Sequence, residues 1–527
     1  MKNLLKVSAC VYTFFLMYEC ALAKYNENII DHNDNSNEYI KYKTLKNISH
    51  DNIGYIINGK LTSYNWFIKD KFNNILYEYN FDSNLGNGGL DTHGIFELNL
   101  KNNDSNAIYG IKFQMLVPMI KGRIVAFANT PYGNISLGYQ EGVESEMKID
   151  AFSVAAGDTS SEWTKYIRSF LPIHDEVNNI PFYRSSGLYS EHLFRNHNNH
   201  FSINLTLRDN NFIDNLPFRI SYKSLNFNGF AFGVSYSPEG NKKSIMQNSN
   251  INVINIVRLD YDMNQFVDSA LSPIYRDIVS PYTNIISGAM SYNGQINDLQ
   301  FNASIVGEYA KPMTIDNLKS VSNEYINSLV NGYMNLHLHS YDYYLNYDRL
   351  YKHLTEYVDI HMDMKYHTLH NLAGVALGAS AQYKNLKLGG AYGYLGQSGV
   401  INYENIDLKE YFDGDISFPK QHSYYWNIGA SYKYNNLLLS VTYFKSFVYS
   451  YYIKNMNAIL SSESSLNDLG IGIDYTFYNM DRVNYKIFAN YHYFNTMQYY
   501  VINTNNIDNG IKDNQGSIVL SGIKIEF

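Results

Sequence analysis

The sequence predicts a transmembrane, antiparallel, up-and-down β-barrel of about 16 strands. Three observations carry that expectation. Apolar and polar residues alternate with period two through many segments of strand length. Short Asn- and Asp-bearing turns alternate with long connections. The chain stops inside an alternating segment, "SIVLSGIKIEF", where Val519, Ser521, Ile523, Ile525 and Phe527 share one face and Leu520, Gly522, Lys524 and Glu526 the other. A soluble domain ordinarily frays at its end into polar residues; closure of a barrel gives a terminal strand something to pair with.

The elements follow in order from the N-terminus. "MKNLLKVSACVYTFFLMYECALA" sets Lys2 and Lys6 before an apolar stretch and closes on Ala21-Leu22-Ala23, the pattern of a secretory signal peptide cleaved after Ala23. Glu19 disfavours the competing lipoprotein reading through Cys20. Both cysteines, Cys10 and Cys20, belong to the segment expected to be removed, which excludes disulfides, thiolate metal sites and cysteine nucleophiles together. Losing Lys2, Lys6 and Glu19 leaves 39 basic and 48 acidic residues of the original 41 and 49, a net charge of −9 that argues against nucleic acid as a partner. Residues 24–54, rich in Asn and Asp, read as a polar lead-in or plug, and 55–527 as the barrel.

No later run reaches the roughly 18 apolar residues of a spanning helix. A barrel strand needs only alternate apolar positions, which suits a mean hydropathy of −0.31. The 51 Tyr and 28 Phe suit a protein with two membrane–water boundaries, where amphipathic rings gather. AT-rich codon usage is a second source of Tyr and Asn.

Alternation places strands at 55–66, 92–101, 106–117, 122–129, 133–140, 215–224, 228–237, 283–293, 298–309, 372–384, 386–395, 422–434, 436–449, 466–478, 483–494 and 516–527. Every second connection is short, as at Lys384-Asn385 and Asn435-Asn436. Those between are mostly long: 141–214, 238–282, 310–371, 396–421, 450–465 and 495–515. Short periplasmic turns and long outer loops are barrel anatomy. Periodicity alone fits a soluble sandwich equally well, but a sandwich has no reason to segregate loop length to one end.

Around the longest early connection the sequence becomes recognisable. "GRIVAFANTPYGNISLGYQEGVESEMKIDA" resembles the strand pair of general Gram-negative porins that enters their inward-folded loop. "FRISYKSLNFNGFAFGVSYSPEG" resembles the pair after it, matching at Tyr222, Phe227, Gly229, Phe230, Gly233, Ser235, Tyr236 and Pro238, with Leu225 in place of the family's usual Pro. The "MKIDA…GD…W" stretch most resembles porins of intracellular alphaproteobacteria, of rickettsial type. Phe527 is similar to the terminal aromatic that barrel-assembly machinery recognises. These motifs cover about a fifth of the chain.

The resemblance implies a 16-stranded barrel, usually a homotrimer, set in outer-membrane lipid with lipopolysaccharide or its substitute. It would pass small hydrophilic solutes and ions by passive diffusion, narrowed by an inward loop at 141–214. A "PEFGG"-like acidic motif of some members is absent here, which leaves the shape of the constriction open. The alternative from another class is a surface adhesin or host-interaction barrel acting through 141–214 and 310–371.

With the smooth face toward lipid, the other face supplies the pore. Its basic candidates are Lys60, Lys112, Arg219, Lys223, Lys387, Lys433, Lys486 and Lys524, of which Lys223, Lys387, Lys433 and Lys524 lie near the short turns; its acidic candidates are Glu308, Asp474 and Glu526. The loop after the fifth strand reverses the balance with Glu141, Glu144, Glu146, Asp150, Asp158 and Glu162. A basic wall facing an acidic loop predicts a transverse field across the constriction, with Lys112 and Arg219 at mid-height; the other reading is that these charges solvate a wet lumen. The histidines of 310–371 (His337, His339, His353, His361, His367, His370) lack the spacing of a metal site, so no metal or cofactor is expected. The chain carries no nucleophile elbow, P-loop or dinucleotide fingerprint, and reads as a non-enzyme.

Overall fold

The structure, a computed structural model, describes residues 53–73, 87–103, 108–117, 121–157, 161–167, 186–191, 217–239, 282–312, 352, 370–400, 402, 422–453, 459–480, 483–503 and 508–527. The expected signal segment, nearly all of 24–54 and most of 310–371 lie outside them.

The first strands are β1 (Ile53–Asn73), β2 (Gly88–Asn103), β3 (Ile108–Val117), β4 (Lys121–Thr130) and β5 (Gly133–Tyr139). Next come β6 (Phe218–Ser224), β7 (Phe230–Glu239), β8 (Tyr282–Ile296), β9 (Leu299–Pro312), β10 (Leu372–Tyr383) and β11 (Leu386–Gly396). The last are β12 (Ser423–Tyr434), β13 (Leu437–Ile453), β14 (Ile459–Met480), β15 (Val483–Asn503) and β16 (Asp508–Glu526). Each pairs antiparallel with its sequence neighbour and β1 pairs with β16, closing a 16-strand barrel without an edge. Every expected segment is a strand.

Several strands run longer than the alternation suggested. β1 begins at Ile53, inside the stretch expected to precede the barrel, because Ile53, Tyr55 and Ile57 already pair with Asn102, Leu100 and Leu98. β14, β15 and β16 extend over 22, 21 and 19 residues. Their added rows, such as Asn467↔Asn495 and Asn495↔Gln515, are polar on the outward face, so pairing continues where the apolar signal has stopped.

Outside, the wall is apolar: Phe232, Val234, Leu377, Leu388, Ile428, Val441, Ile471 and Ile523 are all exposed. Inside are Ser, Thr, Asn, Gly and charges, together with a buried apolar cluster that includes Tyr64, Tyr425, Phe444, Phe488, Phe494 and Leu520. The turns Asn297-Asp298, Lys384-Asn385 and Asn435-Asn436 each put their first residue at positive φ, between 51° and 52°, a conformation Asn tolerates better than most residues. The closing row is complete to the last residue. Gly59 and Phe527 exchange backbone hydrogen bonds of 2.8 and 3.0 Å, and the Phe527 ring covers the space a Gly59 side chain would fill. That is an aromatic filling the gap beside a glycine on a neighbouring strand. Phe96 flanks the same ring at 5.7 Å between centroids.

A candidate pore and its inner belt

The connection after β5 turns into the barrel and lines its wall. A one-turn helix, Val143–Glu146, packs over β6 to β9. Two 3₁₀ segments follow, Ala151–Val154, capped by the Asp150 carboxylate accepting from Ser153 N–H at 3.0 Å, and Ser161–Tyr166. Ser186–Glu191 returns to the same interior. Together these segments form an inner belt.

The belt's backbone is satisfied by the wall's side chains, as a buried backbone must be. Ile149 N–H donates to Ser304 Oγ at 3.0 Å, Ala151 N–H to Asn427 Oδ1 at 2.8 Å and Ala156 N–H to Ser440 Oγ at 2.7 Å. Asn490 Nδ2 and Lys524 Nζ donate to the carbonyls of Ala156 and Gly157 at 3.1 and 2.7 Å. Glycines make room: a Cβ on Gly378 would lie 1.8 Å from the Ile149 carbonyl oxygen, and one on Gly472 2.3 Å from that of Ala156. These contacts run from β9 through β16.

The far end reaches β1 and β2. Tyr166 stacks on Trp66 at 4.2 Å, donates to Asp91 at 2.7 Å and lies 3.2 Å from Tyr64 Oη. Burial, reinforced by Tyr64 and Asp91, pushes the Tyr166 hydroxyl far above the usual tyrosine range, so it stays a neutral donor. Trp163 stacks on His492 at 4.3 Å, and His492 Nδ1 lies 3.1 Å from an Asp468 oxygen. On the neighbouring strands, Lys112 of β3 is 37 % exposed on the inward face, while Val125 of β4 is buried at 6 % exposure.

Buried ion pairs fix the near end. Arg219 and Glu144 meet at 2.8 Å with each side chain 1 % exposed, and Ser235 and Ser287 accept from the same guanidinium nitrogen. Lys148 pairs with Glu191 at 2.7 Å and donates to the Ser186 carbonyl at 2.9 Å. Ser190 bridges Glu308 and Glu144, and Ser186 donates to Asp150. Burial beside Glu308 raises the Tyr189 hydroxyl above its ordinary range.

This geometry redistributes the expected pore residues. Lys112 lies on the inward face of β3, 37 % exposed and 3.7 Å from Glu97. Lys223 and Glu146 form a wet pair at 2.8 Å, and Lys486 pairs with Glu526 at 2.8 Å. Lys60 and Lys387 point inward, half-buried. Arg219, expected at mid-height on the pore surface, is instead sealed under the belt, because its guanidinium is matched by Glu144. Glu308 and Asp474 are also covered, at 6 % and 8 % exposure, the first by Ser190 and the second by Lys524 at 3.4 Å. Of the acidic loop residues, Glu144 faces the wall and Asp150 is buried within the belt, where Ser153 and Ser186 donate to it; Glu141 is half-buried and accepts from Ser145 Oγ at 2.7 Å. Asp158 and the Glu162 side chain lie outside the described residues. Sequence reasoning passed over Glu191, Tyr166 and His492, which hold the belt in place; Trp163 was signalled only as the W of "GD…W".

No family model and no curated protein sequence matches this chain. Among solved structures it is similar to Salmonella typhi OmpF in complex with daunomycin, at 11 % identity and TM-score 0.39, covering 92 % of this chain and 100 % of that one. It is also similar to an anion-selective porin from Comamonas acidovorans (12 %, TM-score 0.38, covering 90 % and 100 %). A third is the outer-membrane channel DcaP of Acinetobacter baumannii (8 %, TM-score 0.39, covering 90 % and 97 %). The strand count and closure rest on this chain's own pairing. The narrower resemblance to porins of intracellular alphaproteobacteria finds no support among these neighbours.

Proposed function

We propose that this chain is a porin-like diffusion channel of the outer membrane, exported by its signal segment and assembled as a homotrimer. Small hydrophilic solutes and ions cross it without a catalytic step. One observation carries the reading: a closed barrel, apolar outside, holds a pinned inner belt and still presents solvated charge inside, at Lys112, Glu97, Lys223 and Glu146. A barrel interior lined by polar groups carries water, and the belt narrows it.

The wet inward face is weighted toward cations. Among the described residues, Lys60, Lys101, Lys112, Lys223, Lys387, Lys433 and Lys486 are set against Asp70, Asp91, Glu97, Glu146 and Glu526. Fixed charge at close quarters biases permeant ions toward the opposite sign, so the channel prefers small anions. The test is reconstitution of the mature chain in planar bilayers and liposomes. Stepwise ohmic conductance, with swelling rates that fall as solute size rises, is the expected result. A barrel that inserts and stays sealed overturns the proposal.

A further inference from the structure

We propose a phosphate-binding site at the mouth of the barrel that carries the C-terminus, taking phosphate-bearing anions of pyrophosphate size. A cavity of about 460 Å³ opens there, and Gln382, Lys384, Lys387, Ser431, Lys433 and Asn435 line it. Its floor is the inward face of three adjacent strands. Gln382 pairs with Lys387 and Lys387 with Ser431, so the three side chains form one cross-strand row. Lys433 lies two residues beyond Ser431 on the same face, which makes it the diagonal neighbour of Lys387, roughly 7–8 Å away. Two flexible lysine stems at that spacing can bring their ammonium groups onto one ligand.

The charge is uncompensated. Lys112, Lys148, Lys223, Lys486 and Lys524 each have a carboxylate partner. Lys387 and Lys433 have no ion-pair partner among the described residues, and Lys384 sits 5.2 Å from the Tyr383 ring centroid. Along the row Lys433 pairs with Leu438 and Leu438 with Asp474, and that carboxylate is engaged by Lys524 at 3.4 Å. Like charges facing each other across a strand pair repel, and a multivalent anion removes that repulsion. Lysine binds phosphate as a point charge, while the Ser431 hydroxyl and the Gln382 and Asn435 amides supply neutral donors around it.

The site faces the lumen, and its ligand is either a free phosphate-bearing solute or a lipid headgroup phosphate reaching over the rim. Isothermal titration of the refolded full chain, in phospholipid-free detergent, separates the two: one arm adds pyrophosphate, the other a soluble short-chain phosphatidylglycerol. Saturable binding in either arm, weakened at least about tenfold by K387Q/K433Q and retained by K387R/K433R and by the distant K69Q, supports the site and names the source. Equal binding by wild type and K387Q/K433Q, or no binding in both arms, overturns it. Because titration does not depend on ion flow, a sealed barrel would defeat the channel reading and leave this result standing.

Discussion

The belt's attachment at Arg219 yields the sharpest prediction. Arg219 and Glu144 are each 1 % exposed and 2.8 Å apart, so neither is stabilised by water when the other is removed. Replacing Arg219 with Met keeps the volume and leaves Glu144 buried without its cation, close to Glu308 through their shared contact with Ser190. Breaking a buried pair from one side costs about 3–5 kcal/mol. At 1.4 kcal/mol per decade, the ratio of released to seated belt rises about a hundredfold to several thousandfold. The barrel wall itself need not unfold, since strand pairing in β5 to β7 continues without the side chain.

Two readouts follow the belt directly. In single-channel recordings R219M should show larger and noisier steps than wild type, and limited proteolysis should cut the released belt within 141–167. The double variant R219M/E144M removes both charges and should recover most of the wild-type behaviour, because an apolar replacement of a whole buried pair is often neutral. Wild-type conductance and protease resistance in R219M would refute the claim that this pair seats the belt. Equal damage in single and double variants would instead assign the effect to packing.

Three further outcomes are expected. G378V places a side chain where the Ile149 carbonyl now sits, 1.8 Å from its Cβ, and should displace the belt and raise conductance; an unchanged step size would sink the close-approach argument. K112Q removes an exposed inward-facing cation and should move the reversal potential toward cation preference, measured under a salt gradient, whereas an unmoved potential would deny Lys112 a place on the ion path. Deleting Phe527 opens the space over Gly59 and removes the last backbone pair of the closing row. It should lower the yield of heat-modifiable, membrane-inserted barrel before it alters conductance, and normal yield would contradict that.

Strands and their facing were legible because alternation is a local property. Val519, Ile523 and Ile525 lie outside and Lys524 and Glu526 inside, as the closing sequence alone required. The pore was less legible, for a reason visible in Ser304, Ser440, Gly378 and Gly472. Small and polar residues on the inward face were read as wetted. In the structure their hydroxyls accept from Ile149 and Ala156, and their missing side chains admit the belt's carbonyls. A polar, small-residue face is what a strand needs against water, and it is equally what a strand needs against a second layer of backbone. Period two cannot separate those environments.

The same ambiguity explains the charges. The field expected between a basic wall and an acidic loop supposed that water lay in the gap. Where the loop folds flat, opposite charges meet: Arg219 with Glu144 is a dry contact, and Lys223 with Glu146 a wet one at the belt's margin. On the proposed channel reading, what would act on permeating ions is the charge that the belt does not consume. Lys112 shares its charge with Glu97 at 3.7 Å, while Lys387 and Lys433 have no ion-pair partner among the described residues. The belt's margin and the mouth would therefore weigh on selectivity together with the composition of the wall.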